Sequence, residues 1–280
     1  MTSLAERLGY GPQDKLLIVN CDDLGSSGSA NRAIGDVLGL GAATSATLMV
    51  PCPWALDGVD RAKGGGVGVG VGVHLTLTCE YPAYRWRALT GARSLHDEQG
   101  YMRSSTWSVW DDALLDEVRA ECRAQIDQAY AWGVDVTHLD THMGTMQMEP
   151  RFYAIFLELA AEYRLPVRMF GARTEETIGF PARAQAQAAG LVCPDNIIDL
   201  WKRPRGTLAE RLAGLRPGVT ELFFHPVEDG PELRGYDLKE ADIRVGDYAE
   251  MRDPAFLAGV EAAGARLISF APLRDLMRAG

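Results

Sequence analysis

Short apolar runs alternating with helical stretches constrain this chain more than any other feature. The first run, Lys15-Leu-Leu-Ile-Val-Asn-Cys21, is continuously apolar, as a strand covered on both faces requires. Further strand-like runs stand at 43–50, 69–78, 134–140, 167–170, 197–200, 221–224 and 266–270. Helical stretches are expected at 29–40, 54–62, 114–129, 150–163, 181–189, 207–213 and 255–263. Strand then helix, seven or eight times over, is the α/β pattern of a (β/α) barrel or a doubly wound parallel sheet. No Pro/Ser-rich linker divides the 280 residues, so one chain-spanning barrel domain, 1–280, is the expectation. Residues 64–73, where glycine alternates with valine, contain neither phosphate-loop pattern and read as a lead-in to the third strand. Residues 80–110 interrupt the rhythm without a helical period and read as an insertion loop or hairpin.

Charge narrows the partners. Lys and Arg number 28 against 38 Asp and Glu, a net charge of −10. Nucleic acid and anionic lipid both call for a basic face, so neither is expected as the main partner. No apolar run approaches the roughly 20 residues of a membrane span, and 1–13 lacks the pattern of a secretory signal. The five cysteines form no CxxC pair and their number is odd, which fits reduced thiols in a cytoplasmic protein.

The chemistry gathers at strand ends. Of five histidines, His74 lies within the third run, His138 and His142 bracket Asp140 in the fourth, and His225 closes Leu222-Phe-Phe-His. His96, in the insertion, is expected at the surface. Parallel α/β folds build active sites at the C-terminal ends of their strands. Taken singly, each histidine could be a hydrogen-bonded core residue, and Asp22-Asp23 a turn and helix cap. Jointly, adjacent carboxylates at a buried strand end call for a cation or a proton, and one carboxylate with two imidazoles is a common set for a catalytic divalent metal.

Five fragments resemble the YdjC-like carbohydrate deacetylases. They are Leu-Ile-Val-Asn-Cys-Asp22-Asp23-Leu-Gly, Thr44-Ser45-Ala-Thr47-Leu-Met-Val, His74-Leu-Thr-Leu-Thr, His138-Leu-Asp140-Thr-His142 and Glu221-Leu-Phe-Phe-His225-Pro226. They occur in the family's order, the tail Gly264-Ala-Arg-Leu-Ile-Ser-Phe is similar too, and the resemblance covers roughly 15–275. It implies a distorted (β/α) barrel that removes an acetyl group from a small N-acetylated sugar. It also implies one divalent ion, magnesium or zinc, held by Asp23, His74 and His142, with Asp22 as catalytic base and His225 as proton donor. Many members continue the fourth motif with two more histidines; here Gly144 and Met146 stand in those places. Arg168 could orient Asp22, bind substrate, or sit in a surface salt bridge.

Half of the six tryptophans, Trp86, Trp107 and Trp110, fall within the insertion together with Tyr81, Tyr84 and Tyr101. Rings with an apolar face and a polar edge can stack on sugars, so these tryptophans are expected to touch substrate. The alternatives are packing of the loop onto the barrel or an oligomer interface, which a homodimer would use. Two other functions share the residues: a metal-dependent sugar isomerase or phosphoesterase, and a sugar-binding barrel without turnover.

Overall fold

Among the described residues, seven parallel strands carry the fold: β1 (Lys15–Leu24), β2 (Ser45–Leu48), β3 (Gly70–Leu75), β4 (Val136–Thr141), β5 (Asn196–Asp199), β6 (Gly218–Phe224) and β7 (Ala265–Leu267). The computed structural model describes residues 2–66, 68–201 and 208–279. Residue 67 of the Gly/Val lead-in and residue 207 of the expected 207–213 helix lie outside the described residues. The strands run β4-β3-β2-β1-β6-β5, with β7 also on β1. β7 and β2 share one edge of β1: the Ile268 N–H donates to the Leu17 carbonyl at 3.0 Å, and the Thr44 N–H to the Val19 carbonyl at 2.9 Å.

The outer edges, β4 and β5, are drawn toward each other by the segment at 165–170. Val167 bridges to Leu139, the Arg168 N–H donates to Leu139 and the Val167 N–H to Val192, both at 3.1 Å. The sheet thereby curls into a distorted (β/α) barrel. The strand expected at 167–170 is reduced to that single bridge, because Pro166 has no N–H to extend the ladder.

Alternation along β1 sorts the interior into layers. Leu17, Val19 and Cys21 pack outward against Ile34, Val37 and Val59 of the surrounding helices. Leu16 and Ile18 point inward and share an apolar cluster with Val219 and Phe270. Two and four residues on, Asn20 and Asp22 continue the inward face as polar groups. β4 repeats the sequence: His138 stacks on Phe270 in the lower layer, with ring centroids 3.7 Å apart, and Asp140 lies in the polar layer. Gly72 on β3 makes room for that stack, since a Cβ there would lie 2.5 Å from the His138 ring. The barrel is filled by apolar side chains at one end and by charge at the other.

Helices at Gly28–Gly39, Ala55–Gly64, Leu115–Ala131, Pro150–Glu162, Ala182–Ala188, Leu208–Ala213 and Pro254–Ala262 occupy the expected places. Others were not visible in the periodicity, among them Ala241–Arg252, whose buried face is Ala241, Arg244, Asp247 and Met251. The spacing is helical, but half of that face is charged. The insertion is not a long hairpin. It holds one antiparallel bridge, His96 to Met102, and ends in the helix Thr106–Asp112, capped by Ser105. His96 is half-buried rather than at the surface, because its Nε2 accepts the Ala88 N–H at 3.1 Å.

Candidate active site

The polar end of the barrel brings Asp23, His74 and His142 together from the ends of β1, β3 and β4. Each offers one donor atom, and the three atoms lie within 4.8 Å of one another. Asp23 has φ +66, a left-handed conformation that aspartate tolerates better than most residues. Its Oδ1 stands 3.2 Å from His142 Nδ1 and 3.4 Å from His74 Nε2, buried and without a well-formed hydrogen bond. The second oxygen is held by Arg244 at 2.7 Å. The outer ring nitrogens are also engaged: His74 Nδ1 lies 2.6 Å from Asp140, and His142 Nε2 lies 3.0 Å from Glu80. A metal-binding histidine shows that arrangement, with one nitrogen free and the other fixed by a carboxylate. The orphaned Asp23 oxygen and the two inward nitrogens fit a divalent cation.

The electrostatics agree. Burial pushes both imidazoles toward the neutral form, but the carboxylates overrule it. Asp140 and Asp23 raise His74 to about 10, and Glu80 and Asp23 raise His142 to about 9. Burial likewise raises the Asp23 carboxyl, yet Arg244 and the two histidines hold it well below the usual range. The centre is strongly negative and draws positive charge.

Beside it, Asp22 faces a different set of groups. Arg168 grips it through both terminal nitrogens at 2.6 Å, and Asn20 donates to it at 2.9 Å. The same guanidinium lies 2.8 Å from Glu221 and 3.0 Å from Asp140, so it is a buried hub for three carboxylates and not a surface arginine. Against burial, Arg168 holds Asp22 well below the usual carboxylate range. Glu221, more weakly compensated, is pushed up by burial to about 7. His225 Nε2 stands 3.7 Å from Asp22, and burial lowers its pKa, leaving it neutral at pH 7.

All of these except Asn20, Asp140 and Glu221 line one cavity of about 890 Å³. The expected substrate tryptophans do not. Trp86 is buried with its Nε1–H donating to the Thr78 carbonyl at 2.9 Å, and Trp110 donates to Thr145 at 2.8 Å. Trp107 packs edge-on against Trp110 and is otherwise exposed, away from the cavity. A buried indole needs an acceptor, and carbonyls that follow β3 and β4, at Thr78 and Thr145, supply it, which fixes both rings by packing the insertion onto the barrel. Trp201 and Tyr81 line the cavity instead, with Trp201 against His225 at a centroid distance of 4.4 Å.

Comparison with known proteins places the chain in a family. The model of the YdjC-like proteins matches residues 16–262. The chain belongs to the YdjC-like family. It is 35% identical over 260 residues to a carbohydrate deacetylase of Thermus thermophilus, covering 89% of this chain and 92% of the relative. A carbohydrate deacetylase of Thermoanaerobacter pseudethanolicus is 31% identical over 222 residues, covering 78% and 84%. Among solved structures, an Enterococcus faecalis protein named for cellobiose-phosphate cleavage superposes with a TM-score of 0.79 at 22% identity, covering 93% of this chain and 99% of that one. That likeness shows the shared barrel.

Of the two positions where this YdjC-like chain departs from the four-histidine motif, only one reaches the site. Gly144 lines the cavity, whereas Met146 is fully buried against Cys122. Sequence reasoning missed Glu80 and Arg244, which reach the candidate metal site from a loop and from the half-charged helix face. Glu80 follows Cys79 directly after the third strand run, and that position was its one sequence signal.

Proposed function

We propose that the protein is a metal-dependent carbohydrate deacetylase that removes the acetyl group from the nitrogen of an N-acetylated amino sugar. The convergence of Asp23, His74 and His142 beside Asp22 and His225, in one cavity, is the observation that carries it. The names of the two similar relatives support the same reading. Asp23, His74 and His142 would hold the divalent ion, which would supply Lewis acidity toward a water and the acetyl oxygen. Two imidazoles in the set suit zinc better than magnesium, which favours oxygen ligands.

The chain's own residues supply the proton path. Asp22 is the catalytic base, and Arg168 fixes its two oxygens so that the carboxylate cannot rotate away from the reaction centre. The same grip makes Asp22 a weak proton acceptor by itself, so neutral His225, 3.7 Å away, shares the load. A proton taken from the attacking water passes from Asp22 to the departing amine through His225. Trp201 gives the sugar ring an apolar face next to that imidazole. All five cysteines are free and buried, which suits a reducing compartment such as the cytoplasm.

Acetate release from a panel of N-acetylated amino sugars, with and without chelator, tests the assignment. Acetate is expected only with metal present. Turnover that survives complete metal removal, or a non-acetate product from the same sugars, rejects it.

A further inference from the structure

The floor of the cavity is ionic, but part of its mouth is apolar. Met143, Met148 and Leu238 all line the cavity while being 47%, 37% and 76% exposed. They are three of the nine exposed large hydrophobic side chains among the described residues, gathered on one opening. The backbone is specialised there. Met143 has φ +53, a conformation that long side chains rarely adopt, and Thr78 Oγ1 donates to its sulfur at 3.7 Å. Gly144 follows at φ +68, where a Cβ would lie 2.6 Å from the Met148 sulfur. A side chain at 144 would have to displace the Met148 thioether, which fills that space.

We propose that this lip binds an apolar group attached to the sugar, an alkyl or aryl aglycone, so that the substrate is an amphipathic N-acetylated glycoside. The proposal rests on the deacetylase reading of the floor. A second sugar ring at the lip would bring hydroxyls to side chains that offer no donor and, in sulfur, only a weak acceptor. Those hydroxyls would lose water without replacement. Among the polar side chains of the same cavity, Glu80 is committed to His142, Gln147 to the Arg168 carbonyl at 2.8 Å and Asp237 to Arg244 at 2.8 Å, while Lys239 beside Leu238 is exposed. An apolar chain gains burial at the lip and loses no hydrogen bond. Flexible thioethers adapt to the shape of what they cover. The cavity's volume of about 890 Å³ is near the top of the range for small-molecule sites, leaving room beyond one sugar ring.

The test is acetate release by the metal-loaded enzyme from a methyl glycoside, a hexyl glycoside and the β-linked disaccharide of one N-acetylated amino sugar. The expected kcat/KM for the hexyl glycoside exceeds the other two by about tenfold, the scale of added methylenes in an apolar pocket. In M143Q and M148Q the hexyl-to-methyl ratio within each variant falls toward one. A flat series, a preference for the disaccharide, or a ratio that both variants retain overturns the lip assignment, while acetate from the methyl glycoside keeps the deacetylase reading. No acetate from any of the three overturns both.

Discussion

Asp22 and Asp23 are chain neighbours held by different arginines, and that separates their roles. Arg168 takes both oxygens of Asp22, whereas Arg244 takes one oxygen of Asp23 and leaves the other facing two imidazoles. Asparagine keeps the shape but is a poorer ligand and no base at neutral pH. Asp22→Asn should lower kcat by about 10²–10⁴ with metal affinity nearly intact. Asp23→Asn should weaken metal binding first, with activity partly recovered at high metal. Metal titration alongside acetate kinetics checks both, and loss of metal in Asp22→Asn alone would reverse the roles. Glu80 extends the argument, since it fixes the outer nitrogen of His142. Glu80→Ala should weaken metal affinity by about 10–100-fold, and Glu80→Gln, whose carbonyl still accepts that N–H, should restore part of it. Equal affinity in all three proteins would remove Glu80 from the metal centre. The aspartate pair stood out in the sequence through its joint placement with histidines at strand ends, since a turn or a helix cap would account for it alone. Glu80 did not, because a lone glutamate at a loop start looks like any solvated charge.

At the scale of a strand, β4 shows how alternation assigns work. His138, Asp140 and His142 recur at every second residue, but the first lies in the apolar layer and the other two in the polar one. Burial pushes His138 down to about 3 from an ordinary 6.5, with Asp140 opposing. Its folded pKa is depressed, so the unfolded chain takes up the proton first as pH falls. This one group therefore removes about 1.4 kcal/mol of stability per pH unit between about pH 6.5 and 3. Glu221, raised to about 7, acts with the opposite sign, costing stability as pH rises from 4.5 toward 7. Wild type alone shows only the balance, so the readout is a difference. His138→Gln should be less stable at pH 7, with a shallower loss on acidification in denaturant unfolding from pH 6.5 to 5. Parallel slopes in the two proteins would mean that His138 does not titrate as its burial demands. The β elements were legible because apolar runs and their polar ends are local signals. The aromatic insertion misled because ring density does not say which way a ring points; for Trp86 and Trp110 the carbonyls of Thr78 and Thr145 decide that.

For the whole molecule, the decisive fact is that the three candidate ligands come from three strands. Asp23, His74 and His142 are far apart in sequence and meet only when β1, β3 and β4 are packed side by side. A cation bound there belongs to the native state, because the unfolded chain cannot assemble the set, so binding energy becomes folding stability. At a free metal concentration 100 times the dissociation constant, the gain is about 2.7 kcal/mol. In a chain of this size that corresponds to roughly 5 °C in Tm, at about 2 °C per kcal/mol. The net charge of −10 adds a weaker, non-specific stabilisation by any cation, which salt screens. Thermal unfolding at high ionic strength isolates the specific term. Chelator should lower the wild-type Tm by about 5 °C, and divalent metal should restore it. Asp23→Asn, whose ligand set is broken, should show a much smaller shift under the same conditions. A shift of the same size in Asp23→Asn would locate the metal elsewhere. No shift in the wild type would mean that the negative centre holds protons on His74 and His142 rather than a metal, and the deacetylase mechanism would lose its Lewis acid.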